Sequence, residues 1–212
     1  RVYSKYSFPP IIEGFLRVIV FTMKSLLKFR CKLKKKATIF LVGSHNQNQT
    51  LSKVANITNN SVLIGFHNYR ADNLEGYIPS ALFYIMGWFS LPYSIYLLCC
   101  VDDKYQRVAL IKRMERVLIS GVSILVWRFL FKLWQPEMIV VSNDHNHWTR
   151  SAIRAARRCG ILTSYIPHSY TSDTFPELEC NYSFLDSNIQ KALYKNTGKV
   201  ERSYVEIGGA VR

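Results

Sequence analysis

"MIVVSNDHNHWTRSAIRAARRCGILTSYIPHS", Met138 to Ser169, reads as strand, helix, strand, and that reading decides the fold. "MIVVS" (138–142) and "LTSYIP" (162–167) are short apolar runs that look like strands, the first nearly continuous, as expected for a strand covered on both faces. Between them "TRSAIRAARRCG" carries apolar and small residues at helical spacing and stops on Cys159-Gly160, a glycine C-cap. A strand, a short helix and a second strand make a parallel unit.

Working outward, "TIFLVG" (38–43), "SVLIGF" (61–66) and "YSFLD" (182–186) repeat the apolar strand pattern, and "SYVEIG" (203–208) offers a sixth. Helical stretches follow the first and fifth of these, "NQTLSKVANI" and "SNIQKALYKNTG", the latter with Ser187 or Asn188 as N-cap. The alternation predicts an α/β fold: a Rossmann-like parallel sheet flanked by helices, in a domain spanning 37–203. An apolar helical insertion at about 76–136 interrupts it. Its first part, Gly76 to Val101, is 26 residues without a charge, long enough to span a bilayer. Pro79, Gly87 and Pro92 are expected to break that run into short helices. A return span over 117–134 would carry Arg128 and Lys132 through lipid, so helices in the core or facing a membrane are expected instead.

The net charge is +14, and residues 1–36 hold ten Lys/Arg against Glu13 alone. "FLRVIVFTMKSLLKFRCKLKKK" within that stretch has the composition of a basic amphipathic helix. It suits either an anionic membrane surface or an ordinary core contact followed by a solvated basic loop. Anionic partners follow from the charge. With no zinc-finger, RRM or KH signature, nucleic acid is set aside, leaving acidic lipid or a phosphorylated small molecule. Five cysteines without a CxxC pair fit a reducing cytosol, which makes the four N-x-S/T sequons chance matches. The expected location is cytoplasmic, peripheral at the inner face of a membrane. The chain begins at Arg1 and ends on "VEIGGAVR", so a longer protein is expected.

All five histidines follow expected strands: His45 the first, His67 the second, His145 and His147 the third, His168 the fourth. If the strands are parallel, the five lie along the carboxyl edge of the sheet, where ligands of open α/β sheets bind. Asn143, His145 and His147 sit where a helix begins, a place that suits an anion. Arg150 and Arg154, one turn apart, are candidate phosphate or sugar-acid contacts, Arg154 equally a solvated helix face. Arg157 and Arg158, at the helix end, complement the dipole. Asp144 serves either as a general base or as an Asx-type cap. His168 and Ser169 open a polar loop that should lie beside the "NDHNH" loop if strands three and four pair. His145 and His147 with His168 make a weak metal pattern, and no metal is expected.

The segment "PEMIVVSNDHNHWTRSAIRAARRCGILTSYIPHS" resembles the acceptor-side Rossmann half of GT-B glycosyltransferases of bacterial surface-polysaccharide synthesis, capsule enzymes included. There a phrase "gi-P-t-hh-h-Q-H-G" recurs at the same place. Non-hydrolysing UDP-GlcNAc 2-epimerases share the layout. The resemblance covers 137–212. It departs at His168-Ser169, where many relatives have His-Gly, and Tyr204–Arg212 resembles the crossover into the second GT-B domain. It implies a transferase with Asp144 or His168 as the base. His45, His67, Asn143, His145, His147, Arg150, Arg154 and Ser169 would contact substrate. The acceptor would be a sugar or lipid-linked glycan, the nucleotide-sugar donor would be held mainly by the second domain, and no cofactor is implied. A UDP-sugar 2-epimerase-like isomerase would need further cleft acids, for which Glu177, Glu179 and Asp186 are at hand. A non-catalytic, membrane-associated glycan- or phosphate-binding module is the remaining alternative.

Overall fold

The computed structural model describes residues 9–26, 37–66, 69–78, 80–143, 145–168, 175–196 and 203–208. His67, Asp144, Ser169, the basic run at 27–36 and the end of the chain at 209–212 lie outside these. Two compact units emerge. One combines residues 1–29 with 79–126, so the N-terminal helix and the first part of the apolar insertion belong together; the other combines 30–78 with 127–212.

The second unit is built on a seven-stranded parallel sheet. Its strands are β1 (Thr38–Val42), β2 (Ser61–Gly65), β3 (Gly76–Tyr77), β4 (Met138–Val141), β5 (Leu162–Tyr165), β6 (Tyr182–Leu185) and β7 (Tyr204–Ile207). Their order is β3-β2-β1-β4-β5-β6-β7, and each adjacent pair is parallel. This is the Rossmann-like sheet expected from the apolar runs. The order reverses between β1 and β4, in register Leu41↔Val141, so the crevice of a doubly wound sheet opens beyond those two strands. β3 is an addition that the sequence does not announce. Tyr204–Ile207, within the stretch expected as a sixth strand, is β7 at the edge of the same sheet.

The apolar runs are continuous because both faces are covered. Phe40 and Val42 pack with Leu51 and Ala55 of α2 (His45–Ile57), together with Leu63, Val140 and Ile166. Ile39, Leu41, Ile139 and Val141, on the opposite pleat, are buried as well. α7 (His147–Arg158) turns Ala152, Ala155 and Ala156, each 0% exposed, into the protein, and such small side chains let a helix sit close to its neighbours. Asn146 caps its start, Oδ1 accepting from the Thr149 amide at 2.9 Å. Its end is a Schellman motif: Gly160 at φ +70°, with Ile161 N–H to Ala156 O and Gly160 N–H to Arg157 O. α8 (Asn188–Asn196) starts at Ser187, whose hydroxyl accepts from the Gln190 amide.

Gly43, just after β1, cannot carry a side chain where it stands. A Cβ there would lie 2.6 Å from Cζ of the buried Phe66 ring. Gly43→Ala is expected to cost about 1–3 kcal/mol, the range for overpacking a core. A thermal melt checks it, and a midpoint equal to wild type would mean that the ring yields freely.

The other unit is helical: α1 (Pro10–Leu26), α3 (Ser80–Phe89), α4 (Leu91–Cys99), α5 (Lys104–Lys112) and the first part of α6 (Met114–Trp134). Val18, Leu98, Met114 and Leu118 form its core. The Ser90 hydroxyl donates to the carbonyls of Gly87 and Leu118 at the α3–α4 break, and Pro92 sits in the first turn of α4. Gly87, expected to break the run, lies inside α3 instead. A Cβ there would meet Leu118 Cβ at 3.4 Å, an ordinary van der Waals contact, so Gly87 lies where α3 packs on α6. Asp103 caps α5 by accepting from the amides of Tyr105 and Gln106. α6, with 21 residues, is long and apolar enough to cross a membrane, and half of its most apolar stretch is buried inside the protein; core helices pass the same measure. α3 and α4, bent by 65°, reach that length only as a pair.

Candidate functional site

The described histidines follow the carboxyl ends of parallel strands, His45 after β1, His145 and His147 after β4, and His168 after β5. The structure brings two of them into one neighbourhood. His168 bonds through Nδ1 to the backbone carbonyl of Ser142, the residue just after β4. A carbonyl oxygen only accepts, so Nδ1 carries a proton, and in the neutral ring Nε2 keeps the lone pair. The strand pairing therefore sets the tautomer, since β5 lies beside β4 and carries His168 past Ser142.

His145 is the second member. It is exposed as a residue, yet its ring is covered on one side by Phe175, with centroids 4.4 Å apart and planes at 40°. Its pKa is pushed below the ordinary imidazole value, first by this partial burial and second by repulsion from His168. The ring is thus held toward its neutral form. Phe175 comes from the loop that follows His168, so the two polar loops are neighbours, as the pairing of β4 with β5 requires.

Asn143 shapes the loop. Its Oδ1 accepts from the amides of His145 (3.1 Å) and Asn146 (3.3 Å), an Asx turn that aims the chain into α7. The capping role weighed for Asp144 is thus filled on either side by Asn143 and Asn146. Ser142 is 1% exposed, and its hydroxyl has no hydrogen-bond partner among the described residues. His147 begins α7 with its ring tilted against Trp148 at 5.4 Å, and its carbonyl accepts from the Ser151 hydroxyl. His45 is exposed, and Gln49 Nε2 donates to its Nε2 at 2.9 Å, one turn along α2. Between β1 and α2 the Gly43 amide donates to Gln47 Oε1 at 2.7 Å.

Arg150 and Arg154 are engaged elsewhere. Both bind the carboxylate of Glu179, which is 5% exposed: Arg154 by Nε to Oε2 at 2.9 Å and by Nη2 to Oε1 at 2.7 Å, Arg150 by Nη2 to Oε1. Arg150 also reaches the Glu177 carbonyl, and Arg157 the Glu179 carbonyl. One face of α7 thereby clamps the segment leading into β6. Burial alone would raise the Glu179 pKa; the hydrogen bonds and charges of Arg154 and Arg150 outweigh it and hold the carboxyl below its ordinary value. The Arg154 pKa is raised, chiefly by its hydrogen bond to Glu179.

Sequence reading missed Ser142, Phe175 and the partnership of Glu179. Only the last left a signal: an acid-free run of four arginines needs a counter-charge, and Glu177 and Glu179 are the nearest acids beyond the loop. Among the described residues no group of three His, Cys, Asp or Glu is placed to hold a metal ion.

No family model matches the chain. No curated protein matches it either. Among solved structures it is similar to the UDP-GlcNAc 2-epimerase from Methanocaldococcus jannaschii, with a TM-score of 0.44 and 12% sequence identity. The alignment covers 80% of this chain and 45% of that one, so the chain spans less than half the length of that protein.

Proposed function

We propose that this chain is the acceptor-side half of a GT-B-type glycosyltransferase of surface-polysaccharide synthesis, with His168 as the base. The observation that carries the reading is the bond from His168 Nδ1 to the Ser142 carbonyl, which leaves a basic Nε2 at the carboxyl edge of a parallel sheet beside the switch point. In an inverting transfer the acceptor hydroxyl loses its proton to Nε2 as its oxygen bonds to the anomeric carbon. The bond from that carbon to the nucleoside diphosphate breaks, and the diphosphate leaves with the electron pair. His145, held toward neutrality, is suited to hydrogen-bond a hydroxyl rather than to pair with a charge. The donor is assigned to the second domain of that fold. Asp144 is the other base candidate.

The isomerase alternative is the weaker one. It needs acids in the cleft, and Glu179 is committed to Arg150 and Arg154. The test is to supply the full-length protein with a panel of nucleotide sugars, with and without a glycan or lipid-linked acceptor fraction. Release of nucleoside diphosphate that depends on the acceptor is expected. Interconversion of a nucleotide sugar without any acceptor would overturn the transferase reading.

A further inference from the structure

Within the helical unit, α4, α5 and α6 enclose an open groove of about 810 Å³, inside the ~300–1,000 Å³ range of ligand clefts. Its walls are apolar, among them Leu97, Leu98, Leu110 and Val117. Arg113 and Arg116 line it too; both are exposed, and neither belongs to an ion pair among the described residues. The described lining residues include no acid. Ser94 adds a second kind of signal. It is 1% exposed, it lines the groove, and its hydroxyl has no hydrogen-bond partner among the described residues. A buried hydroxyl without a hydrogen-bond partner is unfavourable unless something bonds to it. At the groove's rim α4 presents Tyr93, which is 57% exposed, and outside it Ile95 and Tyr96 at 44% and 63% exposure, large side chains that water solvates poorly.

We propose that this groove binds a single-chain anionic lipid. The acyl chain lies along the leucine and valine walls, the phosphate sits at Arg113 and Arg116, and an ester or hydroxyl oxygen between the two meets the Ser94 hydroxyl. Each part of the ligand answers one feature of the groove: apolar walls disfavour a free phosphate as the occupant, and two lining guanidinium groups disfavour a neutral hydrocarbon. The lipid source is favoured over a protein segment by the exposed tyrosines and isoleucine of α4, the side-chain types that sit at a lipid–water interface. The assignment does not depend on the sugar-transfer reading, because every groove residue belongs to the helical unit.

The test titrates the full chain with monoacylglycerol phosphate below its micelle concentration, read by calorimetry and by native mass spectrometry. Glycerol phosphate and monoacylglycerol are the parallel probes. One molecule of the phosphate monoester per chain is expected, with at least tenfold weaker binding of either parallel probe. Ala109→Trp, at an exposed lining residue, fills the groove and should abolish binding without changing the melt. Arg113→Gln with Arg116→Gln should weaken it at least tenfold, and Ser94→Ala by a few fold. Equal binding of glycerol phosphate would mean a phosphate site without a lipid, and equal binding of monoacylglycerol a merely greasy surface; either overturns the proposal. So does unchanged binding by Ala109→Trp, or a chain dimer that this variant dissolves.

Discussion

Glu179→Ala is expected to lower stability by about 3–5 kcal/mol, the cost of removing one partner from a buried ion pair. At roughly 2–4 °C per kcal/mol for a chain of this size, the melting midpoint falls by about 6–20 °C. The reason is what remains behind. The Arg150 side chain is 19% exposed, and without Glu179 its guanidinium loses that carboxylate at a place with little water. Arg154→Ala removes a side chain that is 51% exposed, so solvent screens most of its charge and the loss stays within about 1 kcal/mol. Arg150→Ala falls between the two. Should Arg154→Gln instead abolish substrate binding with the melt unchanged, the clamp would be incidental and the arginine a working contact.

The same pair fixes a pH dependence. Because the Glu179 pKa is lower in the folded chain than in the unfolded one, its contribution is complete above the unfolded carboxylate value and is lost as pH falls through the folded one. Glu179→Gln should flatten that acid limb. His145 acts in the same direction one window higher. With its pKa depressed, the native state resists protonation, so stability declines as pH drops below the ordinary imidazole value. Melts of wild type and His145→Asn across pH 7 to 5 separate the two, and a flat wild-type curve in that window would contradict the His145 assignment.

What the sequence disclosed and what it hid follow one physical line. β1 and β4 were legible because burial on both faces demands unbroken apolar runs, as in Ile39–Val42 and Ile139–Val141. The end of α7 was legible because a left-handed residue at Gly160 calls for glycine. β3 has two residues, too few to show any period. The helical unit joins 1–29 to 79–126 across a gap that local pattern does not bridge. Glu179 stands 25 and 29 residues from the arginines it binds. In the site, the carboxyl edge itself was readable, since parallel strands place every following loop there. Three features were not: the carbonyl that orients His168, the Phe175 cover on His145, and the diversion of Arg150 and Arg154. Each depends on how neighbouring strands are offset rather than on residue type. β5 seats His168 Nδ1 on Ser142 because Val141 pairs with Tyr165, a register that the two strands do not spell out separately.

That register leads to the largest catalytic prediction. In the full-length protein supplied with donor and acceptor, His168→Ala should reduce turnover by about 10²–10⁴, the share of general base catalysis. Two further variants separate chemistry from positioning. Asparagine places an amide N–H near the position of Nδ1, so His168→Asn can keep the bond to the Ser142 carbonyl while supplying no base. Glutamine reaches the position of Nε2 but offers an amide in place of a lone-pair nitrogen. If Nε2 takes the proton, both variants fail as badly as alanine, and added imidazole restores part of the alanine variant's rate. If His168 only braces the two loops, the asparagine variant works nearly as well as wild type. That outcome would remove His168 from the proton transfer and leave Asp144 as the base to test.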